Sequence, residues 1–569
     1  MSGIQAMQRR ESADPAAERR QAQAAVPQAD GQSASASQPA TPPPFVPMHP
    51  ARAGAYMLAS LLLALSQGLG MNLITANIPQ IQGAIGATTN EATWMVAAYM
   101  APNVSLSLAL IKIRTQYGLR NFAELSILGF VVACLLNLFI SDLPSAIVVR
   151  FMSGIAAAPM STLGFLYMLE PFPPHLKMRI GLPLALTNIS IGAPVARLIS
   201  PALFDIEGWH GLTVLELALA MLAFCLVYLL PLTPPPRAKV IERLDVASYL
   251  LIATGFGATA IVLVLGRLYW WFEAPWLGEL LALAVVTVTI AAVIELNRAN
   301  PLIDVRWLTS PAVLHFTGAL LIFRIVLSEQ TTGASGFFQV LGLSNDQTTT
   351  LYWIILAATI AGGLACTAVM KPGREPLIHM VALALLAVGA FMDSQATNLT
   401  RPSQMFLSQA MIAFAGALFL PPAVASGLMS ALKKGPNYIL SFVILFLTTQ
   451  SMGGLLGSAV FGSFITLREK FHSNHLVEHL ALTDPLVAQR VAQLGNAYGR
   501  TITDKTLLSA EGIAALGQQA TREANVLAYN DAFLMIALIA VAALAALLLH
   551  LAYDTIRNRT AVSPAASQT

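Results

Sequence analysis

Long apolar stretches recur along the chain from Ala51 onward, and a short polar connection separates each from the next. An α-helix rises about 1.5 Å per residue, so about 20 apolar residues cross a hydrocarbon layer about 30 Å thick. The pattern holds about fourteen such stretches and predicts an all-α, polytopic membrane protein. The stretches are centred approximately on Ser66, Tyr99, Val131, Ala157, Ser190, Ala220, Gly257, Val286, Ile325, Ala358, Leu385, Ile412, Gly454 and Val541.

The composition supports this interpretation. Only 11% of the residues are charged and the mean hydropathy is +0.66, whereas soluble proteins carry about 25% charged residues. The three cysteines, Cys134, Cys225 and Cys366, stand alone in apolar stretches. This spacing offers neither a disulfide framework nor a zinc cluster.

Among the short connections, lysine and arginine fall almost entirely in every second one. Because basic loops stay on the cytoplasmic side, this alternation predicts that both termini are cytoplasmic. The alternate short connections hold only Arg267 and Arg401, and six further basic residues lie in the one long loop. The basic connections hold Arg52, Lys112, Arg114, Arg120, Lys177, Arg179, Arg237, Lys239, Arg243, Arg298, Arg306, Lys371, Arg374, Lys433, Lys434, Arg557 and Arg559.

Polar and Pro-rich segments divide the chain into regions. Residues 1–50, rich in Ala, Gln, Ser and Pro, cannot bury enough apolar surface to fold and predict a disordered cytoplasmic tail. The Pro-rich, basic link Pro231–Arg243 suggests two bundles. The further predicted regions are a six-span bundle at 51–232, two extra spans at 244–298, five spans of a second bundle at 310–466, a periplasmic loop at 467–529, the last span at 530–553 and a cytoplasmic tail at 554–569.

Three ionisable residues lie within the predicted spans of the first bundle. Arg150, Arg197 and Glu216 are each expected about 10 Å below the periplasmic face. Charged groups at membrane depth are costly and usually face a cavity or a partner. A carboxyl with two guanidiniums can form a buried network that changes when the acid binds a proton. A fixed salt bridge within the bundle is the alternative.

The second bundle has Arg324 and Glu329 near the middle of its first span. Five residues apart, they point about 140° away from each other, so each needs another partner. A lone buried acid is a natural proton carrier, and we predict that Glu329 faces the translocation cavity. A structural pair with a polar neighbour is the alternative. Gln330 and Thr331, which follow it, favour a surface that water reaches.

Other polar and small residues give weaker signals. Gly453 and Gly457 form a GxxxG pattern that permits close helix packing and is also compatible with helix sliding. Asn72, Thr75 and Asn77 in the first span are candidates for the substrate pathway, or for hydrogen bonds between helices.

The chain offers little for catalysis. It contains no G-x-x-x-x-G-K-[ST] loop, and its connections are mostly too short to build a catalytic cluster. His472, His475 and His479 recur at helical spacing, but without a second ligand cluster they indicate a solvated face. We therefore predict a protein that is not an enzyme and has neither metal nor cofactor. The energy for transport would then come from ion movement.

These residues resemble the major facilitator superfamily, specifically the fourteen-span drug/proton antiporters of the EmrB type. The resemblance runs from about Ala51 to Arg557. It is most specific in Arg150-x-x-x-Gly154 with Pro159, which matches the fourth-span motif that the family associates with proton coupling. Gly118 and Arg120 match the turn between the second and third spans. The resemblance implies two six-helix bundles plus two extra central spans.

The chain also departs from the family pattern. The first-span acid is replaced by Gly70, and the acid of the second-to-third turn is missing. The fifth-span motif is reduced to Gly192-Ala193-Pro194, with Arg197 and Pro201 where small residues are expected. We therefore expect Glu216 or Glu329 to replace the usual first-span acid.

The predicted function is proton-driven export of amphipathic or hydrophobic small molecules across the bacterial inner membrane. The resemblance implies a periplasmic adaptor and an outer-membrane channel as partners, because the long loop before the last span typifies such members. Small molecules, protons and membrane lipid are the other expected partners, and nucleic acid is not. The alternatives are an uptake permease of the same fold and a non-transporting scaffold or sensor acting through the periplasmic loop.

Overall fold

The protein is described by a computed structural model for residues 47–233, 239–298 and 301–562. The predicted tail up to residue 46, Arg237 of the Pro-rich link and the C-terminal residues from 563 lie outside these ranges. Within them the chain is almost entirely helical and has no β-strand. The prediction of an all-α polytopic protein is confirmed.

Fourteen long helices follow the apolar pattern. Two π turns adjoin these helices. One, over Lys177–Gly181, leads directly into α5, and the other, over Glu329–Ala334, interrupts α9. The helices are α1 Pro50–Ala76, α2 Thr89–Tyr117, α3 Leu119–Asn137, α4 Leu143–Leu169, α5 Leu182–Ser190 with Gly192–Glu207, α6 Trp209–Leu229, α7 Arg243–Leu265, α8 Pro275–Leu296, α9 Pro311–Ser328 with Ser335–Val340, α10 Thr349–Val369, α11 Glu375–Asp393, α12 Phe406–Lys434, α13 Pro436–Glu478 and α14 Lys505–Val562.

Among the described residues, thirteen helical segments are long and apolar enough to cross a membrane. They correspond to all the helices above except α2. With 29 residues, α2 is nevertheless longer than a bilayer crossing requires. Short helices at Ile78–Ile85, Val305–Leu308 and Pro485–Asn496 lie between them.

Two large apolar cores correspond to the two bundles. Leu63 of α1, Tyr99 of α2 and Leu163 of α4 are fully buried in the first core, whereas Phe337 of α9 and Phe461 of α13 are fully buried in the second. The bundles contact each other through α5 against α10 and α12, and through α2 against α13.

Close helix crossings rely on small residues. A Cβ atom on Gly192 of α5 would lie 2.8 Å from the Cα atom of Gly68 of α1. Real Cβ atoms essentially never approach a backbone atom so closely, so α1 and α5 can cross at this distance only because both residues are glycine.

The two extra helices, α7 and α8, pack against each other, and α7 also packs on α2 and contacts α13. At one end, Lys112 of α2 forms an ion pair with Asp245 of α7 at 2.8 Å. At the other end, Trp94 of α2 stacks on Trp276 of α8, with ring centroids 5.6 Å apart. The extra pair is therefore fixed to the first bundle at both ends of α2.

The segment predicted as a periplasmic loop at 467–529 is largely helical. The structure extends α13 to Glu478, forms a short helix at Pro485–Asn496 and begins α14 at Lys505. With 58 residues, α14 is about 87 Å long by the helical rise, far more than a hydrocarbon layer about 30 Å thick. Two long helices therefore project beyond the bundle, and we call residues 467–529 the hairpin.

Candidate functional site

A pair of carboxyl groups is buried in the second bundle. Glu329 of α9 and Asp393 of α11 are 0% and 2% exposed. The side-chain amide of Gln409, on α12, donates to Glu329 Oε1 at 2.8 Å and to Asp393 Oδ2 at 2.7 Å. One amide group therefore bridges two acids from two other helices.

Neighbouring polar groups complete this site. The hydroxyl of Ser408 donates to Asp393, and the amide of Gln330 donates to the carbonyl oxygen of Gln409 at 3.2 Å. Glu329 is the first residue of the π turn in α9, so the helix changes its winding at the acid. Such π turns frequently occur at functional sites because the inserted residue re-aims the side chains around it.

The carboxyl pair lies nearer one end of the bundle than the sequence indicated. Asp393 is the last residue of α11, and Gln409 is the fourth residue of α12. Glu329 lies beside them, so the site is close to the end at which α11 terminates and not at the middle of the span. Sequence analysis missed Asp393 because an acid at the end of an apolar stretch looks like a solvated loop residue.

This arrangement can hold a proton. Two buried carboxylates cannot both keep a negative charge at short range without a large energetic cost. Glu329 Oε2 is buried and has no hydrogen-bond donor, which is also costly for a polar atom. A proton on either acid would remove one charge and supply the missing donor.

In the first bundle, Glu216 and Arg150 come together around Gly70. The guanidinium of Arg150 donates to the carbonyl oxygen of Gly70 at 2.5 Å and lies 4.4 Å from the ring centroid of Tyr99. A Cβ atom on Gly70 would lie 2.5 Å from Glu216 Oε1. The carboxyl of Glu216 thus occupies the space beside the first helix where the family pattern has an acid.

Arg197 does not join this pair. Its guanidinium carbon lies 5.4 Å from the ring centroid of Tyr352 on α10, so it faces the second bundle. The prediction that Arg197 forms a network with Arg150 and Glu216 is therefore wrong. The reason is that helical rise gives depth along the membrane normal, but not the direction in which a side chain points.

Arg324 lies against the glycines of α13. A Cβ atom would lie 2.5 Å from Arg324 Nη2 if placed on Gly454, and 3.0 Å from its Cγ if placed on Gly453. On Gly457 it would lie 2.8 Å from the carbonyl oxygen of Arg324. The glycines of the GxxxG pattern therefore make room for an arginine side chain as well as for a neighbouring helix.

The polar residues of α1 mostly bond within the molecule. Asn72 and Thr75 donate to carbonyl oxygens one turn earlier in α1, at 2.7 and 3.0 Å. Asn77 donates to Ser200 Oγ at 2.7 Å and accepts a hydrogen bond from Asn345 at 3.1 Å. Since Asn345 follows α9, this contact joins the two bundles at one end.

The remaining predicted residues occupy turns and helix crossings. Gly118 has φ +88° between α2 and α3, a conformation that favours glycine. Arg120 forms an ion pair at 2.7 Å with Glu124, which lies one helical turn later in α3. A Cβ atom on Gly154 would overlap the backbone of Tyr99. Three other residues, Pro159 within α4, Pro194 within α5 and Thr331 on the exposed side of α9, make no contact that assigns a role.

The sequence that builds these two bundles also matches the model of a known family. The sequence model of the Major Facilitator Superfamily matches residues 60–458, which is more than half of the chain. The chain belongs to the Major Facilitator Superfamily. The protein is therefore a membrane transporter, as its family and fold predict.

Individual relatives agree with this assignment. The facilitator chain is 24% identical to the multidrug export protein EmrB of Haemophilus influenzae over 518 residues, which cover 85% of this chain and 93% of that protein. It is 22% identical to EmrB of Escherichia coli strain K12 over 502 residues, with 84% and 91% coverage. The solved human organic anion transporter MFSD10 (TETRAN) superposes with a TM-score of 0.52 at 13% identity, covering 87% of this chain and all of that one, which shows a shared fold.

Proposed function

We propose that this protein is a proton-driven exporter of amphipathic or hydrophobic small molecules. The observation that carries the proposal is the buried carboxyl pair of Glu329 and Asp393 that Gln409 bridges. The relatives support the direction of transport, because two of them are multidrug export proteins. The bacterial origin of these relatives supports an inner-membrane location, and the alternation of basic connections supports an orientation with both termini in the cytoplasm.

The carboxyl pair links proton binding to helix position. When the pair holds one proton, its hydrogen bonds hold α9, α11 and α12 together. Loss of that proton leaves two negative charges side by side in the bundle, and their repulsion favours separation of the three helices. Proton binding and release thus favour different arrangements of the second bundle, which alternating access requires.

Glu216 is the second proton-binding candidate. It is buried beside Arg150, whose Nε atom is also buried without a hydrogen-bond partner. A guanidinium next to the acid favours its charged form and opposes the effect of burial. We propose that Glu216 binds and releases a proton in the first bundle, as the carboxyl pair does in the second.

Glu329→Gln is expected to reduce proton-coupled transport at least tenfold without loss of folded protein. Glutamine retains an oxygen that accepts from Gln409, but its amide cannot bind and release a proton. The measurement is proton flux in proteoliposomes with a pH-sensitive dye inside, while a panel of amphipathic compounds is added.

The matched control is Glu279→Gln, which removes an exposed carboxylate on α8 and is expected to leave the flux unchanged. Normal flux in the Glu329→Gln protein would remove Glu329 from the mechanism. Compound-dependent proton flux with substrate accumulating on the cytoplasmic side would instead identify an uptake permease.

We further propose that the hairpin binds a periplasmic adaptor. Its exposed apolar side chains include Phe471 on α13, which is 55% exposed, and Leu486 on the short helix, which is 74% exposed. At its base, Asp531 of α14 binds Arg468 at 2.6 Å and His472 at 2.7 Å, so the hairpin is anchored to the bundle. An anchored, apolar projection beyond the membrane is suited to contact with another protein.

Deletion of residues 476–520, with a short Gly-Ser linker in their place, tests this role. The deletion keeps the ion contacts at the base, so transport into everted membrane vesicles is expected to stay within about twofold of the intact protein. Compound resistance of intact cells, which requires passage beyond the periplasm, is expected to be lost. If a correctly folded deletion protein also loses vesicle transport, the hairpin belongs to the transport unit, as a scaffold or sensor would require.

A further inference from the structure

The guanidinium of Arg324 has no acidic partner among the described residues. It lies thirteen residues into α9, about 20 Å from the start of that helix, and therefore near the middle of the membrane. Its Nε atom is buried and makes no hydrogen bond. The nearby acid Glu329 is bonded to Gln409, and Glu216 lies in the first bundle.

A second donor lies on the facing helix. Gln450 is one turn before Gly453 and Gly454 on α13, so it is on the helix face that contacts Arg324. Its Nε2 atom is also buried without an acceptor. The interface of α9 and α13 thus holds a positive charge and an amide donor, and no group among the described residues accepts from Arg324 Nε or Gln450 Nε2.

The glycines of α13 fix the position of the guanidinium. Because a Cβ atom on Gly454 would lie 2.5 Å from Arg324 Nη2, any other residue there would displace the head group. Apolar side chains lie nearby, with Leu321 of α9 against Gly453 and with Met452 and Leu455 packed towards the first bundle. One turn further along α13, the hydroxyl groups of Ser458 and Thr332 lie 3.0 Å apart. The interface therefore combines one positive charge with apolar and hydroxyl-bearing side chains.

We infer that Arg324 and Gln450 form a binding site for the head group of an amphipathic organic anion, such as a long-chain carboxylate. A buried guanidinium nitrogen without an acceptor is costly, and a carboxylate can accept from the guanidinium and the amide together. The apolar side chains beside the site suit a hydrocarbon tail, which favours an amphipathic anion over an inorganic one. A guanidinium stays charged at neutral pH, which suits ligand binding better than proton transfer. This inference rests on the proposed function and names its substrate class.

Binding of radiolabelled dodecanoate and of dodecyltrimethylammonium, two probes with the same tail and opposite charge, tests the site. The purified full-length protein in a non-ionic detergent is expected to bind dodecanoate more tightly than the cation. Arg324→Gln is expected to lower the affinity for dodecanoate at least about tenfold, because charge-assisted hydrogen bonds are lost. Arg324→Lys, which keeps the charge, and Gln450→Leu, which removes only the amide, are expected to cause smaller losses.

Arg490→Gln is the matched control, since it removes an exposed positive charge from the hairpin and is expected to leave both affinities unchanged. If Arg324→Gln does not fold, the order of affinities among the intact protein, Arg324→Lys and Gln450→Leu carries the test. Equal affinities in all proteins, or tighter binding of the cation to the intact protein, would overturn the inference.

Transport measured after the same purified proteins are reconstituted into proteoliposomes separates the two proposals. Binding of dodecanoate that depends on Arg324, with no proton-coupled movement of any compound, would leave the binding site standing and refute the exporter. Proton-coupled movement of dodecyltrimethylammonium without any effect of Arg324 on dodecanoate would refute the site and leave the exporter.

Discussion

Gly154→Val is expected to abolish the accumulation of folded protein. A Cβ atom at this position overlaps the carbonyl oxygen of Tyr99 and lies 2.9 Å from Pro102 Cγ, both on α2. Neither a backbone carbonyl within a helix nor a proline ring can rotate away, so α2 and α4 would have to separate. Overpacking of a core usually costs about 1–3 kcal/mol, and a backbone contact with no escape lies at or above the upper end. The measurement is the fraction of monodisperse protein after detergent extraction.

The same substitution at Gly129 of α3 is the matched control, because a Cβ atom there meets nothing within 4 Å. Gly129→Val is expected to leave the amount of monodisperse protein unchanged. Gly154→Ala places the same Cβ atom against the carbonyl oxygen of Tyr99 and is also expected to lower the amount of monodisperse protein, though less than valine, which adds two further carbon atoms. Equal yields of the two valine proteins would show that α2 and α4 do not need their close approach.

The same contact explains part of the family's fourth-span motif. In the sequence, Arg150 and Gly154 are one turn apart, and the pattern alone links them to proton coupling. In the structure the glycine brings α4 against α2, and this approach places the Arg150 guanidinium over the ring of Tyr99 and next to Gly70. The motif therefore sets the helix spacing that holds the arginine beside Glu216.

The sequence predicts the spans well because the hydrophobic effect acts locally. A helix that crosses the bilayer needs about 20 mostly apolar residues, and these residues are consecutive in the sequence. The pair at 244–298 is found for the same reason, and the structure places α7 and α8 there. The hairpin is less evident, because outside the bilayer a helix need not be apolar all round, so its mixed charge resembles that of a loop.

The composition of a buried site depends on contacts between distant helices, which no local pattern encodes. Glu329 is evident as an acid within an apolar stretch, but its partner Asp393 is 64 positions later and lies at a helix end. Arg197 shows the opposite error. Its depth matches that of Glu216, yet its side chain points to Tyr352 in the other bundle. Depth can be counted along a helix, whereas the facing partner requires the fold.

Asp245→Ala is expected to lower the free energy of unfolding by about 3–5 kcal/mol, because removing one member of a buried ion pair leaves the other charge uncompensated. Asp245 Oδ1 lies 2.8 Å from Lys112 Nζ and 2.8 Å from Arg298 Nη1, and the three side chains are at most 10% exposed. Arg298 keeps ion pairs with Glu242 and Glu295, whereas Lys112 has no other ion pair among the described residues. In the Asp245→Ala protein, Lys112 is therefore the charge that is left without an ion-pair partner among the described residues. Unfolding of the detergent-solubilised protein by a denaturing detergent gives the measurement.

The control is Glu124→Ala, which breaks an ion pair whose Arg120 side chain is 60% exposed and is expected to cost about 0–1 kcal/mol. Equal losses in the two variants would mean that water reaches Asp245 freely.

The charge alternation along the sequence assigns Lys112 and Arg298 to basic connections that orient the chain in the membrane. In the structure the same two residues meet Asp245 and tie α7 and α8 to α2. If the ion cluster holds the extra pair in place, Asp245→Ala should also make the α7–α8 pair, before the rest of the first bundle, accessible to hydrogen exchange.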